Sequence, residues 1–99
     1  MNNIAFFIMK LLIGKTTSTK RLIKWSESSD NSIRALVARN SNTPIDVRIK
    51  LSEDTSEWVR DAVAGNPNTL DKIVSKLCKD DNEFVREQAK EERARRKNK

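Results

Sequence analysis

The chain of 99 residues has no histidine and no tyrosine, one cysteine, two glycines and two prolines. Each shortage removes a class of function. Without histidine there is no imidazole to act as a base, to activate a nucleophile or to ligate a metal. The lone Cys78 cannot close an internal disulfide, and it falls short of the several thiolates that a zinc or iron–sulfur site needs. An unpaired thiol fits a reducing, cytoplasmic compartment. No glycine-rich loop is present to cradle a phosphate. Carboxylates are plentiful, but Asp80-Asp81 and Glu91-Glu92 fall at caps or on a solvated helix face. The chain therefore reads as a non-enzyme with no cofactor. Scarce Gly and Pro beside 34% charged residues favour helices joined by tight turns.

Long apolar runs are scarce too. The one that exists covers 4–13 and is interrupted by Lys10. As a helix it spans about 15 Å, roughly half a bilayer core, so no membrane insertion is expected. No basic residue precedes it and no small-residue cleavage site follows it, which makes it a poor secretory signal. It reads as a helix buried in the fold or covered by a partner.

What the chain does have is a period. Ile33-Arg34-Ala35-Leu36-Val37-Ala38-Arg39-Asn40-Ser41-Asn42-Thr43-Pro44 lies over Val59-Arg60-Asp61-Ala62-Val63-Ala64-Gly65-Asn66-Pro67-Asn68-Thr69-Leu70 with an offset of 26 throughout. Lys50-Leu51 lies over Lys76-Leu77, Asp54 over Asp80, and Val85-Arg86 opens a further copy. Counting backwards, Thr17 falls on Thr43 and Thr69, and Lys24-Trp25 on Lys50-Leu51. Gly14 falls on Asn40 and Asn66, residue types that tolerate the left-handed conformation ending many helices. In this register Phe7 matches Ile33, Val59 and Val85, and Leu11 matches Val37, Val63 and Ala89. The N-terminal run becomes the second helix of a truncated first repeat, with Phe7 and Leu11 facing inward.

Helix signals follow the same register. Thr43 or Asn42 can cap a helix opening with Pro44, and Asn68 with Asp71 stands at the matching place. Asp54 with Glu57, and Asp80 with Glu83, have the spacing of a capping box. These signals predict helices over 4–13, 17–26, 31–39, 44–53, 57–65, 70–79 and 83–97. Short connections make neighbours antiparallel. Ile45, Ile49 and Leu51 in one copy, and Ile73, Val74 and Leu77 in the next, form apolar stripes that only stacking can bury. Val59, Ala62 and Val63 form the core face of a second helix, and Ala38, Ala62 and Ala64 permit close approach. The expected fold is all-α, a right-handed α-solenoid of about three and a half helix pairs of 26 residues. It forms a single domain over 1–99, divided into an apolar capping helix over 1–14, helix-pair repeats over 15–90 and a basic tail over 91–99.

The string Val-Arg-x-Ala-Val-Ala-x-Asn-Pro-Asn-Thr, followed by Leu-x-x-x-Asp, resembles the variant leucine-rich repeat, a relative in shape of HEAT and armadillo repeats. The resemblance covers 28–88 and fades at both ends. It implies a right-handed superhelix in which one helix of each pair is short or 3₁₀-like. Ser41 and Leu70 stand where the family has proline, and the pattern lapses at Val85-Arg86-Glu87-Gln88-Ala89. An iron–sulfur domain accompanies some members; a single Cys78 gives no ground for carrying it over.

Several residues invite a functional reading beside a structural one. Arg34, Arg60 and Arg86 recur at the period. They form either a basic stripe for phosphates or a ladder in which each guanidinium bridges to Asp54 or Asp80 and to helix-end carbonyls, as the resembled families do. Placement in every copy favours the ladder. The net charge of +6 is uneven: +3 over 1–32, zero over 33–58, −1 over 59–84 and +4 over 85–99. Lys15, Lys20, Arg21 and Lys24 cluster near the first turn, and Arg93, Arg95, Arg96, Lys97 and Lys99 form a tail. Lys20, Arg21, Lys24, Arg93, Arg95, Arg96 and Lys97 are the candidate nucleic-acid contacts, against a frayed helix end whose cations suit the helix dipole. Trp58 and Phe84 share a register position and read as inter-repeat wedges, and Trp25, which replaces Leu51 and Leu77, reads as core. Cys78 aligns with Ser26 and Ser52 at a small, packed position.

The expected function is a protein-interaction module that binds through one face of the stack or through the N-terminal helix. The N-terminal helix is apolar nearly all round, yet only one side can face the next repeat. Phe6, Met9 and Ile13 are the candidate interface, covered by an unidentified protein partner or by a second copy in a homodimer. The alternative is nucleic-acid binding through the basic ends.

Overall fold

Seven helices make up the regular structure of the computed structural model, which describes residues 3–98, the side chains of Asn3, Ala5 and Phe6 excepted. They are α1 (Asn3–Lys15), α2 (Thr19–Ser26), α3 (Asn31–Arg39), α4 (Ile45–Leu51), α5 (Glu57–Ala64), α6 (Asp71–Leu77) and α7 (Glu83–Lys97). No strand occurs among the described residues, and no helix there is long and apolar enough to cross a membrane.

The starts of the helices are set by side chains that satisfy otherwise orphaned amides. Ser18, Asp30, Ser56 and Asn82 are the N-caps of α2, α3, α5 and α7, accepting from the amides of Arg21, Ser32, Trp58 and Val85. Asp54 and Asp80 are thus not the capping residues. They stand two residues earlier and accept from the amides of Ser56 and Asn82, fixing the chain that enters each helix. Pro44 and Leu70 open α4 and α6 without a side-chain cap; their extended backbones, with φ of −55° and −58°, set the turn instead.

The odd-numbered helices pack in a row, α1 on α3, α3 on α5 and α5 on α7. The even-numbered ones lie against them: α2 on α3, α4 between α3 and α5, and α6 between α5 and α7. The molecule measures 40 × 24 × 21 Å. Between the rows sit Leu22, Val37, Leu51, Val59, Val63, Val74, Leu77, Val85 and Ala89, all buried. These are β-branched, leucine and alanine side chains at helical spacing, so each helix turns one stripe to the other row. Cys78 and its register mates Ser26 and Ser52 are buried; each serine donates its hydroxyl to the carbonyl three residues before it. Trp25 is half-buried against the core, whereas Ile45 is exposed.

One helix breaks the register. Ile13 is 0% exposed and Met9 packs partly against the core, while Phe7 is 62% exposed and Leu11 is also exposed. Phe7 and Leu11, expected inward, therefore face out, and Ile13 and in part Met9, expected outward, face in. In the rest of the odd row, α3 packs on α2, α5 on α4 and α7 on α6, the even-row helix that precedes each in the chain. No such helix precedes α1 among the described residues, so α1 turns its Met9 and Ile13 edge to α3 instead.

Candidate functional site

The arginines at the period are engaged in the turns. Arg34 donates from Nε and Nη2 to the two carboxylate oxygens of Asp54, at 2.9 and 3.0 Å, and from Nη1 to the Ser28 carbonyl. Arg60 makes the same set with Asp80, at 2.9 and 3.2 Å, and with the Asp54 carbonyl. Arg86 donates to the Asp80 carbonyl. A planar fork matched to a carboxylate is the strongest form of such a pair. Burial pushes Asp54 and Asp80 up, but the arginines and the amides of Ser56 and Asn82 outweigh it, holding both below the usual carboxylate range. The hydrogen bonds to Asp54 and Asp80 raise Arg34 and Arg60 in turn. With these donors spent inside the fold, Arg34 and Arg60 offer little to a phosphate.

Asn40 and Asn66 do a job that their residue type did not suggest. No described residue has a positive φ, and Asn40 ends α3 in an extended conformation. The side-chain amide of Asn40 donates to the carbonyls of Ile13 and Thr16 at 2.7 and 3.0 Å, and that of Asn66 to Ala38 at 2.9 Å. Their oxygens accept from the amides of Asn42 and Asn68. Each asparagine thus ties its own turn to the end of the preceding odd-row helix.

Three further side chains, Arg48, Glu92 and Arg96, have roles that the sequence did not suggest. Arg48 occupies the register position of Leu22 and Val74 and is 4% exposed. It donates to the carbonyls of Thr43 and Asn68, its Nε has no partner, and burial lowers its pKa. The signal available was an arginine in a column of aliphatics. Glu92, expected on a solvated face, is buried and accepts from Arg95 and Arg96. Burial raises its pKa, but these arginines more than offset that and hold it low. Arg96 also donates to Asp71 at 2.6 Å and to the Pro67 carbonyl. Because its guanidinium is drawn inward, Arg96 is not a free nucleic-acid contact, and the helix end is pinned rather than frayed.

The remaining basic candidates are exposed: Lys20, Arg21 and Lys24 on α2, and Arg93, Arg95 and Lys97 on α7. They lie at opposite ends of the rows. Arg93 also borders a groove of about 720 Å³ over α6, which Lys72, Lys76 and Lys79 line as well.

Apolar surface gathers in two places. On α1, Ile4, Phe7, Ile8, Leu11 and Leu12 are exposed along one stripe. Of the expected interface, Ile13 is buried and Met9 half-buried, and the side chain of Phe6 lies outside the described residues. On the odd-row face, Trp58 is 66% and Phe84 78% exposed. They are not buried wedges: each sits largely exposed at the second position of its helix, beside grooves lined by odd-row residues. Trp58 stands between two grooves. One of about 270 Å³ is lined by Lys10, Ala35, Leu36 and Arg39, the other of about 350 Å³ by Glu57, Asp61, Asn82 and Phe84.

No protein-family model matches the chain, no curated protein is similar to it, and no solved structure matches its fold.

Proposed function

We propose that the chain is a non-enzymatic protein-interaction module, a right-handed α-solenoid of about three and a half helix pairs of 26 residues, which self-associates through α1. The 26-residue register, its resemblance to variant leucine-rich repeats and the two rows of helices support the solenoid reading. The observation that carries the interaction is the exposed stripe of Phe7, Ile8, Leu11 and Leu12, which Ile4 extends. Five side chains of that size, each about half-exposed or more, present on the order of 500 Å² of apolar surface, at the upper end of what monomers show. The stripe's Phe7 and Leu11 stand in register with the buried Val59 and Val63 of α5 and the buried Val85 and Ala89 of α7, helices that each pack on a preceding helix. A helix is therefore the shape that fits it. In a twofold pair, each α1 fills that place for the other. With flanking residues added, the buried surface approaches the roughly 800 Å² per partner of a standard interface.

Sedimentation at micromolar concentration tests this with wild type and Phe7→Glu/Leu11→Glu. A wild-type dimer that becomes a monomer of unchanged helix content is expected. A wild type that is monomeric at every concentration refutes self-association. The second reading, nucleic-acid binding, draws on exposed Lys20, Arg21 and Lys24 and on the basic groove over α6. A salt-dependent shift with DNA or RNA at physiological ionic strength, retained by the monomeric variant, favours that reading instead.

A further inference from the structure

The groove between α5 and α7 is built from unlike parts. Its walls are the exposed rings of Trp58 and Phe84, and its polar groups are Glu57, Asp61 and Asn82. Asp61 is half-buried and carries no ion pair among the described residues; burial raises its pKa, and only the charge of Arg39 acts against that. Neither Trp58 nor Asp61 is demanded by the packing. At the same register positions α3 has Ser32 and Ala35, and α3 sits in the row as α5 does. A large exposed indole and a partly desolvated carboxylate one turn apart both weigh against stability when nothing covers them.

We infer that this groove binds the basic side chain of a partner polypeptide, an arginine or lysine whose stem lies along Trp58 and Phe84 and whose cation meets Asp61 and Glu57. Both halves of such a side chain have a match here. The apolar stem covers ring surface while the charged head stays at the polar rim. A cation over an indole face gains from the ring quadrupole, and a nearby carboxylate adds an ion pair. A guanidinium adds planar stacking and paired hydrogen bonds to a carboxylate. Acidic or neutral occupants fit poorly, since the groove holds two carboxylates and no cation. The site is distinct from α1, so it stands or falls apart from self-association.

The probe is an N-acetylated hexa-arginine amide, followed by calorimetry and by amide chemical shifts. The protein as a whole carries +6, so long-range charge opposes this peptide, and binding reports a local acidic site. Shifts confined to α5 and α7 around Trp58, Asp61 and Phe84 are expected. Trp58→Ser and Asp61→Asn, which place tolerated or near-isosteric groups at the surface, each weaken binding about tenfold or more while leaving the helical spectrum intact. Arg93→Ala leaves the affinity within about twofold. Absence of binding at millimolar peptide overturns the proposal, as does binding that neither variant weakens, or equal binding of hexa-glutamate. Dimerisation lost in Trp58→Ser but kept in Phe7→Glu/Leu11→Glu, with no peptide bound, assigns the groove to a second copy and overturns it as well.

Discussion

Single residues here differ in consequence according to whether their polar atoms are used inside the fold. Arg60 and Arg93 carry the same charge. The Arg60 side chain is 16% exposed and forks onto Asp80, whereas Arg93 is exposed on α7. Removing the first strands a partly buried carboxylate and a turn carbonyl, which costs about 1–3 kcal/mol; removing the second deletes a solvated charge of little worth. Chemical denaturation of Arg60→Ala and Arg93→Ala should therefore show a clear loss for the former and almost none for the latter. Matching midpoints would mean the forked pair does not hold the turns. Arg48 illustrates a subtler case. Its guanidinium is spent on two carbonyls from turns of successive copies, so an arginine replaces a core aliphatic in order to join backbone to backbone.

At the scale of the element, α7 is the instructive helix. Its apolar content falls away after Ala89, and a run such as Glu91-Glu92-Arg93-Ala94-Arg95-Arg96 offers no core stripe. Alone, such a segment would fray. It holds because Glu92 is buried between Arg95 and Arg96, and Arg96 reaches across to Asp71 on α6. Glu92→Gln keeps the shape and removes the charge. Hydrogen exchange should then quicken in the amides after position 92 and stay unchanged in α3 and α5. Uniform protection along α7 in the variant would show that helix propensity alone sustains its end.

For the whole molecule, the carboxylates set the response to acid. Asp54, Asp80 and Glu92 are held below their ordinary values in the native state. Their stabilisation is complete above about pH 4, where the unfolded chain is also ionised, and is lost as pH falls through the lower native values. Asp61 has the opposite sign: its native value is raised, so protonating it relieves a cost as pH falls towards about 4. Three groups against one predict a melting temperature that holds or rises slightly down to that point and then drops. Melting curves from neutral to strongly acidic pH check this, and Asp61→Asn should abolish the slight rise while melting higher than wild type at neutral pH. A melting temperature flat into strong acid would contradict the role given to the forked pairs.

Sequence alone determined what local chemistry determines. The seven helices fall where 3.6-residue periodicity, turn residues and an offset of 26 place them, because each signal acts within a few residues of itself. The pairing of Arg34 with Asp54 and of Arg60 with Asp80 was legible for the same reason: a charge pattern repeated at the period marks a contact repeated at the period. Tertiary structure decided the rest, wherever a side chain's role depends on which neighbour stands across from it. Phe7 and Leu11 have the letters of a core position, but no helix precedes α1 among the described residues; there they face out and Ile13 faces in. Trp58 and Phe84 share a register position that is largely exposed, and hydrophobicity alone did not reveal it. Asn40 and Asn66 resemble helix terminators, yet their amides span the gap to the preceding odd-row helix. Glu92 is as polar as its neighbour Glu91, and it is buried because two arginines on its own helix close over it.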